Sequence, residues 1–193
     1  MKIVVVSPTY NERKNVVKLI PILADEFEKI KNHQMEILFV DDNSPDGTAV
    51  EIEKFQKKYK WVQLLKRGKK QGLGMAYAAG IKYAVEKLKA EAFIEFDADM
   101  QHDPGDIKRL VMAMDEGYDY IIASRYVDGG SIPKEWGFNR KFLSVVGNLV
   151  ARILLVLPKI HDATTGFKLT RVEKVYKHLN LDNLISRQFA YKI

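Results

Sequence analysis

Apolar and polar residues fall into blocks along this chain. Short apolar runs (Ile3-Val4-Val5-Val6, Ile37-Leu38-Phe39-Val40, Ala92-Phe93-Ile94-Glu95-Phe96) are each followed by a longer stretch in which apolar residues recur at helical spacing. Nearly unbroken apolar runs suit strands covered on both faces, and their alternation with amphipathic stretches predicts a mostly parallel central sheet flanked by helices. Strands are expected at Lys2–Ser7, Glu36–Asp41, Val62–Lys66, Ala92–Asp97 and Tyr118–Ala123. A helix is expected at Arg13–Lys31, with Val16, Leu19, Ile20, Leu23 and Phe27 on one stripe. A second should start at Ser44-Pro45-Asp46 and run to Tyr59, and a third should open at Gly72-Leu73-Gly74 and pass Leu88. A fourth should run from Asp103-Pro104 to Glu116-Gly117, followed by Asn139–Leu157, a short segment at Thr165–Leu169 and a last helix at Val172–Leu179. Ser44 and Asp103 each read as a capping residue followed by a first-turn proline.

The Asn139–Leu157 stretch departs from the rest. Arg140, Ser144, Asn148 and Arg152 form a polar stripe at steps of four, but the apolar arc through Phe142, Leu143, Val145, Val146, Leu149 and Val150 is too wide for one sheet face. Either the stripe faces water while the remainder packs on the sheet, or the helix meets a membrane or a partner. The polar interruptions leave it short of the roughly 20 apolar residues of a spanning helix, so no transmembrane helix is expected.

Three of the expected strands discharge polar residues at their carboxyl ends: Ser7-Pro8-Thr9-Tyr10-Asn11-Glu12, Asp41-Asp42-Asn43-Ser44 and Asp97-Ala98-Asp99-Met100-Gln101-His102. That edge is where ligands bind in open α/β sheets. Residues two apart in extended backbone point the same way, so Asp97 and Asp99 can face one pocket. Two carboxylates so close call for a cation, and Mg²⁺ is typically held by one or two carboxylates plus substrate phosphates. The plainer alternative is a pair of turn aspartates ahead of a helix. His102 reads as a third ligand, a substrate contact or a solvated loop residue.

Gly72 and Gly74 fit neither a P-loop nor a dinucleotide fingerprint, which argues against kinases, ATPases and simple NAD enzymes. They suit tight packing at a helix start or close approach to a phosphate. Arg125 and Arg140 suit bidentate phosphate binding or surface ion pairing.

Composition narrows the classes further. A length of 193 residues suits one domain, and the absence of cysteine removes disulfides and thiolate metal sites. The four histidines lack zinc-ligand spacing. A net charge of +6 favours polyanionic partners such as nucleotides, anionic lipid or nucleic acid. Lys66-Arg67-Gly68-Lys69-Lys70 is the densest basic cluster, either a solvated loop or a phosphate-steering patch. An RNA-binding domain would rest on charge alone, because the aromatic-studded strands of common RNA readers are missing. No secretory signal opens the sequence, so the cytosol is the default address.

Taken in order, Pro8-Thr9-Tyr10-Asn11-Glu12, Val40-Asp41-Asp42-Asn43-Ser44-Pro45-Asp46-Gly47-Thr48, Gly72-Leu73-Gly74, Asp97-Ala98-Asp99-Met100-Gln101-His102, Ser124-Arg125-Tyr126, Arg140-Lys141 and Thr165-Gly166-Phe167 resemble the family 2 inverting glycosyltransferases. Within them the set is most similar to the dolichol-phosphate (polyprenyl-phosphate) mannose synthases. The resemblance implies a nucleotide-diphospho-sugar transferase fold of the GT-A type and transfer of a hexose, mannose from GDP-mannose, to a polyprenyl phosphate with inversion. It implies Mg²⁺ or Mn²⁺ as cofactor and association with the cytoplasmic face of a membrane. Pro8, Tyr10, Glu12, Asp42 and Asp97 would bind the nucleotide, and Asp97, Asp99 and Gln101 would surround the metal. Arg125, Arg140 and Ser144 would hold the acceptor phosphate, with Asp99, Arg125 and Arg140 as the catalytic set. Family members normally continue with a helix, a strand and a basic loop that closes over the donor. Here Phe189–Ile193 reads as the start of another helix, so the expectation is one catalytic domain over 1–193 that lacks its usual C-terminal end. Two alternatives stay open: a UDP-glucose:polyprenyl-phosphate glucosyltransferase, and a non-catalytic sugar-nucleotide-binding module.

Overall fold

A computed structural model of the chain describes residues 1–127, 130, 137–154, 162, 165–179 and 181; the side chains of 138–141 and 151–153 fall outside that description. Strands β1 (Lys2–Thr9), β2 (Gln34–Asp41), β3 (Val62–Lys66) and β4 (Ala92–Glu95) pair in parallel in the order β3-β2-β1-β4. Beyond β4 lies β6 (Lys168–Arg171), antiparallel both to β4 and to β5 (Tyr120–Ile122) at the sheet edge. Five strands therefore share one direction, and their carboxyl ends share one edge. The helices are α1 (Arg13–Glu28), α2 (Thr48–Lys58), α3 (Leu73–Glu86), α4 (Asp106–Asp115), α5 (Phe138–Leu154) and the single turn α6 (Val172–Val175), which runs into a 3-10 turn at Tyr176–His178.

Both faces of the parallel half are covered, which explains its unbroken apolar runs. On one face Ile3, Val5, Ile37, Phe39, Ile94 and Phe96 pack against Leu19, Ile20 and Leu23 of α1, Ile52 of α2 and Ile107 of α4. On the other, Val4, Val6, Leu38, Val40 and Phe93 pack against Ala76, Tyr77, Ile81 and Ala84 of α3. α3 lies very close to the sheet at Gly80, where an added methyl would come within 2.5 Å of Val6 and 2.7 Å of Val40.

The structure corrects several sequence expectations. The second helix starts at Thr48, not at Ser44, because Ser44 and Asp46 are engaged across the loop. The Ser44 hydroxyl donates to Asp41 at 2.6 Å and accepts the Asn11 amide at 3.0 Å, while Asp46 accepts the amides of Thr48 and Arg13. The segment Thr165–Leu169 hides a strand, β6, inserted between β4 and β5. β4 ends at Glu95 and β5 is confined to Tyr120–Ile122, both shorter than expected. α4 begins at Asp106, because Asp103 spends its side chain on the Gly105 amide and the turn before the helix. α1 ends at Glu28, and the last helix resolves into α6 plus a 3-10 turn. The expected end of the long helix, 155–157, lies outside the described residues.

Candidate active site

The strand order reverses at β1, which has β2 on one side and β4 on the other; such a switch point opens a crevice at the strands' carboxyl ends. A cleft of about 280 Å³ lies there. Its wall is built where the three strands end: Pro8 and Thr9 close β1 and Tyr10 and Glu12 follow it, Asp42 follows β2, and Asp97, Ala98 and Asp99 follow β4. Lys70, Gly72, Leu73 and Ala76 close it from the start of α3. Gly72 holds a φ of 101°, a backbone conformation open to glycine and costly for other residues.

Three non-glycine residues with positive φ sit in these same loops: Asn11 at 63°, Asn43 at 59° and Met100 at 64°. Asparagine tolerates that region; for Met100 it is a strained conformation worth on the order of 1–3 kcal/mol. Such turns re-aim the chain at the strand ends, and here they displace the simple geometry expected for the acidic pair. Ala98 and Asp99 lie in a turn rather than extended backbone, yet Asp97 and Asp99 still line one cleft.

The two carboxylates differ in how they are held. The Tyr77 hydroxyl donates to Asp97 Oδ1 at 2.6 Å, and His102 Nε2 lies 3.6 Å from Asp97 Oδ2. Asp99 is exposed and accepts the Gln101 backbone amide at 3.0 Å. Gln101 itself is exposed and is not on the cleft wall. The His102 ring packs with Phe167, which meets Phe96 edge-on at 5.2 Å.

At the end of β2 the adjacent aspartates separate in role. Asp41 is buried and staples the loops, accepting hydrogen bonds from Thr9, Ser44 Oγ and the Ser44 amide. Asp42 faces the cleft, accepts the Gln71 amide at 3.2 Å and meets Arg67 at 3.0 Å in an ion pair whose N–H is not aligned for a hydrogen bond. Burial pushes the Asp42 carboxyl above its ordinary pKa, against the opposing pull of the Gln71 amide and Arg67. The basic cluster is thus not one solvated loop. Arg67 is partly buried against Asp42, Lys66 pairs with Glu53, and the Lys70 ammonium lies 3.8 Å over the Tyr10 ring at the cleft.

The charged groups lining the cleft are Glu12, Asp42, Asp97 and Asp99 against Lys70. A phosphate-bearing ligand entering such an acidic wall needs a cation beside it. No group of three or more His, Cys, Asp or Glu side chains is gathered for a metal among the described residues. Two carboxylate oxygens at a cleft, without a closed cage, match the way Mg²⁺ is shared between protein and substrate phosphates. The residues present fit a hard divalent ion.

The expected acceptor residues lie elsewhere on the same edge. Arg125 follows β5, and its Nε and Nη2 both donate to buried Asp162, at 2.7 and 2.8 Å. This hydrogen bonding raises the Arg125 pKa further. The Ser144 hydroxyl accepts from Tyr126 at 2.6 Å, tying α5 to the loop after β5. Arg140 lies in the first turn of α5, with its side chain outside the described residues. Neither Arg125 nor Ser144 lines the cleft. On α5 itself, Phe142, Leu143, Val145, Leu149, Val150 and Leu154 are exposed, while Asn148 of the polar stripe is buried. Among the described residues no helix is long and apolar enough to cross a membrane.

Three functional candidates escaped sequence reading. Tyr77 sits at a core position of an apolar helix, and nothing local marks its hydroxyl. Lys70 was one charge among several in a basic run. Asp162 shows itself through Arg125, 37 residues away.

Residues 4–179 match the family described as Glycosyl transferase family 2. The chain is 38% identical over 178 residues to a dolichol-phosphate mannosyltransferase of Pyrococcus furiosus, covering 91% of this chain and 47% of that protein. It is 37% identical over 190 residues to a polyprenol monophosphomannose synthase of Mycolicibacterium smegmatis, covering 98% of this chain and 68% of that protein. The crystal structure of mannosyl-3-phosphoglycerate synthase from Rubrobacter xylanophilus shares the fold, with a TM-score of 0.63 at 16% identity over 90% of this chain and 54% of that one. The chain thus spans about half the length of the Pyrococcus relative.

Proposed function

The chain belongs to glycosyl transferase family 2, and from that premise we propose that it transfers mannose from GDP-mannose to a polyprenyl phosphate, with inversion, at the cytoplasmic face of a membrane. One observation carries this reading: the cleft at the switch point gathers Tyr10, Glu12, Asp42, Asp97 and Asp99 on one wall. Relatives named as dolichol-phosphate and polyprenol mannose transferases support the sugar and the lipid class.

In this reading Pro8, Tyr10, Glu12 and Asp42 bind the nucleoside, with the Tyr10 ring and the Lys70 ammonium at the cleft mouth. Asp97 and Asp99 would hold a Mg²⁺ or Mn²⁺, with the Gln101 backbone amide bonded to Asp99; when bound, the ion supplies charge neutralisation for the departing nucleoside diphosphate. Tyr77 fixes the direction of Asp97 through its hydrogen bond. Arg125, Arg140 and Ser144 hold the acceptor phosphate. A phosphate monoester has a second pKa of about 6 and is largely ionised near neutrality, so no general base is required. Its oxygen bonds to the anomeric carbon from the side opposite the breaking bond to the diphosphate, and the diphosphate leaves with that electron pair. Positioning and electrostatics are the protein's contribution. The exposed apolar side chains of α5 would rest on the membrane that holds the acceptor.

The test is transfer of labelled mannose from GDP-mannose to farnesyl phosphate by the intact protein with Mn²⁺. Lipid-linked product with the inverted anomeric configuration is expected. Product from UDP-glucose and none from GDP-mannose would move the assignment to a glucosyltransferase, and nucleotide binding without product would make the chain a binding module.

A further inference from the structure

The loop between β3 and α3 brings Lys70 to the cleft and leads into Gly72, yet Arg67-Gly68-Lys69-Lys70-Gln71 contains no apolar side chain. Gly68, Lys69, Lys70 and Gln71 are exposed, and a methyl added at Gly68 would meet nothing within 4 Å. A segment that buries so little apolar surface depends on its polar contacts for its shape. Those contacts converge on Arg67 and the end of β2. The Arg67 amide donates to the Asp41 carbonyl at 2.8 Å, Nη1 lies 3.0 Å from Asp42 Oδ1, and Nη2 donates to Gln71 Oε1. The Gln71 amide closes the ring by donating to Asp42 Oδ2 at 3.2 Å.

Arg67 stands behind the wall: Asp42 lines the cleft and Arg67 does not. The Asp42 side chain keeps 5% exposure and that of Arg67 11%. Burial works against a charge on Asp42, and so does neighbouring Asp41; the Gln71 amide, Arg67 and Lys70 work for it. Glu12, Asp97 and Asp99 add further negative charge to the same cleft. Lys70 is exposed and lies over the Tyr10 ring, so water screens its charge, and the guanidinium is the stronger counter-charge of the two. The charge state has a chemical consequence. An ionised carboxylate accepts hydrogen bonds at both oxygens, whereas a protonated one presents a donor at one of them. A guanine base offers an amino group and a ring N–H, both donors, and needs the acceptor form.

We propose that Arg67 is a positioning residue for the nucleotide donor: it anchors the 67–71 loop on Asp42 and fixes that carboxylate as a hydrogen-bond acceptor for the base, an assignment that rests on the reading of Asp42 as a nucleoside ligand. The rival view makes Arg67 a loop anchor with no electrostatic part. An anchor of that kind needs the reach of the side chain but not its charge, and its loss would weaken nucleotide binding equally at every pH.

The experiment measures the affinity for GDP with Mn²⁺ at pH 6 and at pH 8 in the intact protein, Arg67→Gln and Arg67→Lys. Titration of the nucleotide phosphate and of the metal-binding groups is common to parent and variant and cancels in the ratio of their affinities. Without the guanidinium, the buried Asp42 carboxyl holds its proton to higher pH. Arg67→Gln is therefore expected to weaken GDP at least about tenfold at pH 6 and about threefold or less at pH 8. Arg67→Lys keeps the charge and is expected to stay within about threefold of the parent at both. Parent-like affinity of Arg67→Gln at pH 6, a loss of the same size at both pH values, or a loss in Arg67→Lys equal to that in Arg67→Gln would each overturn the proposal. Should Arg67→Gln fail to fold, Arg67→Met takes its place, dropping the charge and keeping the aliphatic stem, with the same outcomes deciding. Absence of GDP binding by the parent would overturn the donor-cleft reading itself, whereas parent binding that loss of the Arg67 charge leaves unchanged would overturn this inference alone.

Discussion

The two sides of the sheet are built on different terms. Around β1, β2 and β4 both faces are covered, and Ile3, Val4, Val5 and Val6 have no exposure at all. Around β5, β6 and α5 the strands are short, and the helix presents Leu143 at 70% and Leu154 at 74% exposure. The first side uses its apolar residues to hold a cleft in place. The second holds apolar residues outward, where the protein's own core does not explain them. Side chains exposed to this degree are available to a surface, and the proposed function would place a donor cleft on one side and a lipid-facing element on the other.

The largest effect should come from the cleft. Asp99→Ala is expected to lower mannose transfer about a hundred- to a thousandfold while leaving the unfolding midpoint near that of the parent, since Asp99 is exposed. Turnover at the parent rate would separate the acidic pair from catalysis. Next comes stability, where the two sides should diverge. Leu19→Ala, a truncation in the covered core, is expected to cost about 3 kcal/mol in denaturant unfolding. Leu143→Ser on α5 is expected to change stability by less than about 0.5 kcal/mol and yet to reduce binding to anionic lipid vesicles. A large stability loss at Leu143 would show that the face is covered within the protein and erase the contrast.

The smallest effect lies in the loop that joins β2 to α2. Burial works against the Asp46 carboxylate, but hydrogen bonds from Thr48 and the Arg13 amide hold its pKa below the ordinary value. A depressed carboxylate stabilises the fold above its unfolded pKa and loses that contribution as pH falls through the folded one. The difference in midpoint between the parent and Asp46→Asn should therefore be full at pH 6 and shrink below about pH 4. A difference independent of pH would assign the role to shape rather than charge.

How much of this the sequence disclosed depended on whether the cause was local. Ile3–Val6 and Ile37–Val40 read as buried strands because burial on both faces removes alternation. The positions of Pro8, Tyr10, Glu12, Asp42, Asp97 and Asp99 on one wall followed from three strands ending at one edge, a consequence of parallel topology. The helix at Ser44 was misread because its capping groups are spent on Asn11, Arg13 and Asp41, across the loops. β6 was missed because Lys168-Leu169-Thr170-Arg171 is short and takes its identity from flanking strands distant in sequence. Asp162 carried no local signal, because the arginine it pairs with lies 37 residues away in the chain.

The central claim, a metal-assisted nucleoside-diphosphate site at the switch point, meets its most direct test in the unfolding midpoint measured with GDP or UDP, each with and without Mn²⁺. A ligand present at about a hundred times its dissociation constant adds roughly 2.7 kcal/mol to the native state, which a domain of this size registers as several degrees. The expected result is a rise with GDP that requires Mn²⁺ and a smaller one with UDP. No rise with either nucleotide in the presence of the metal would contradict the claim.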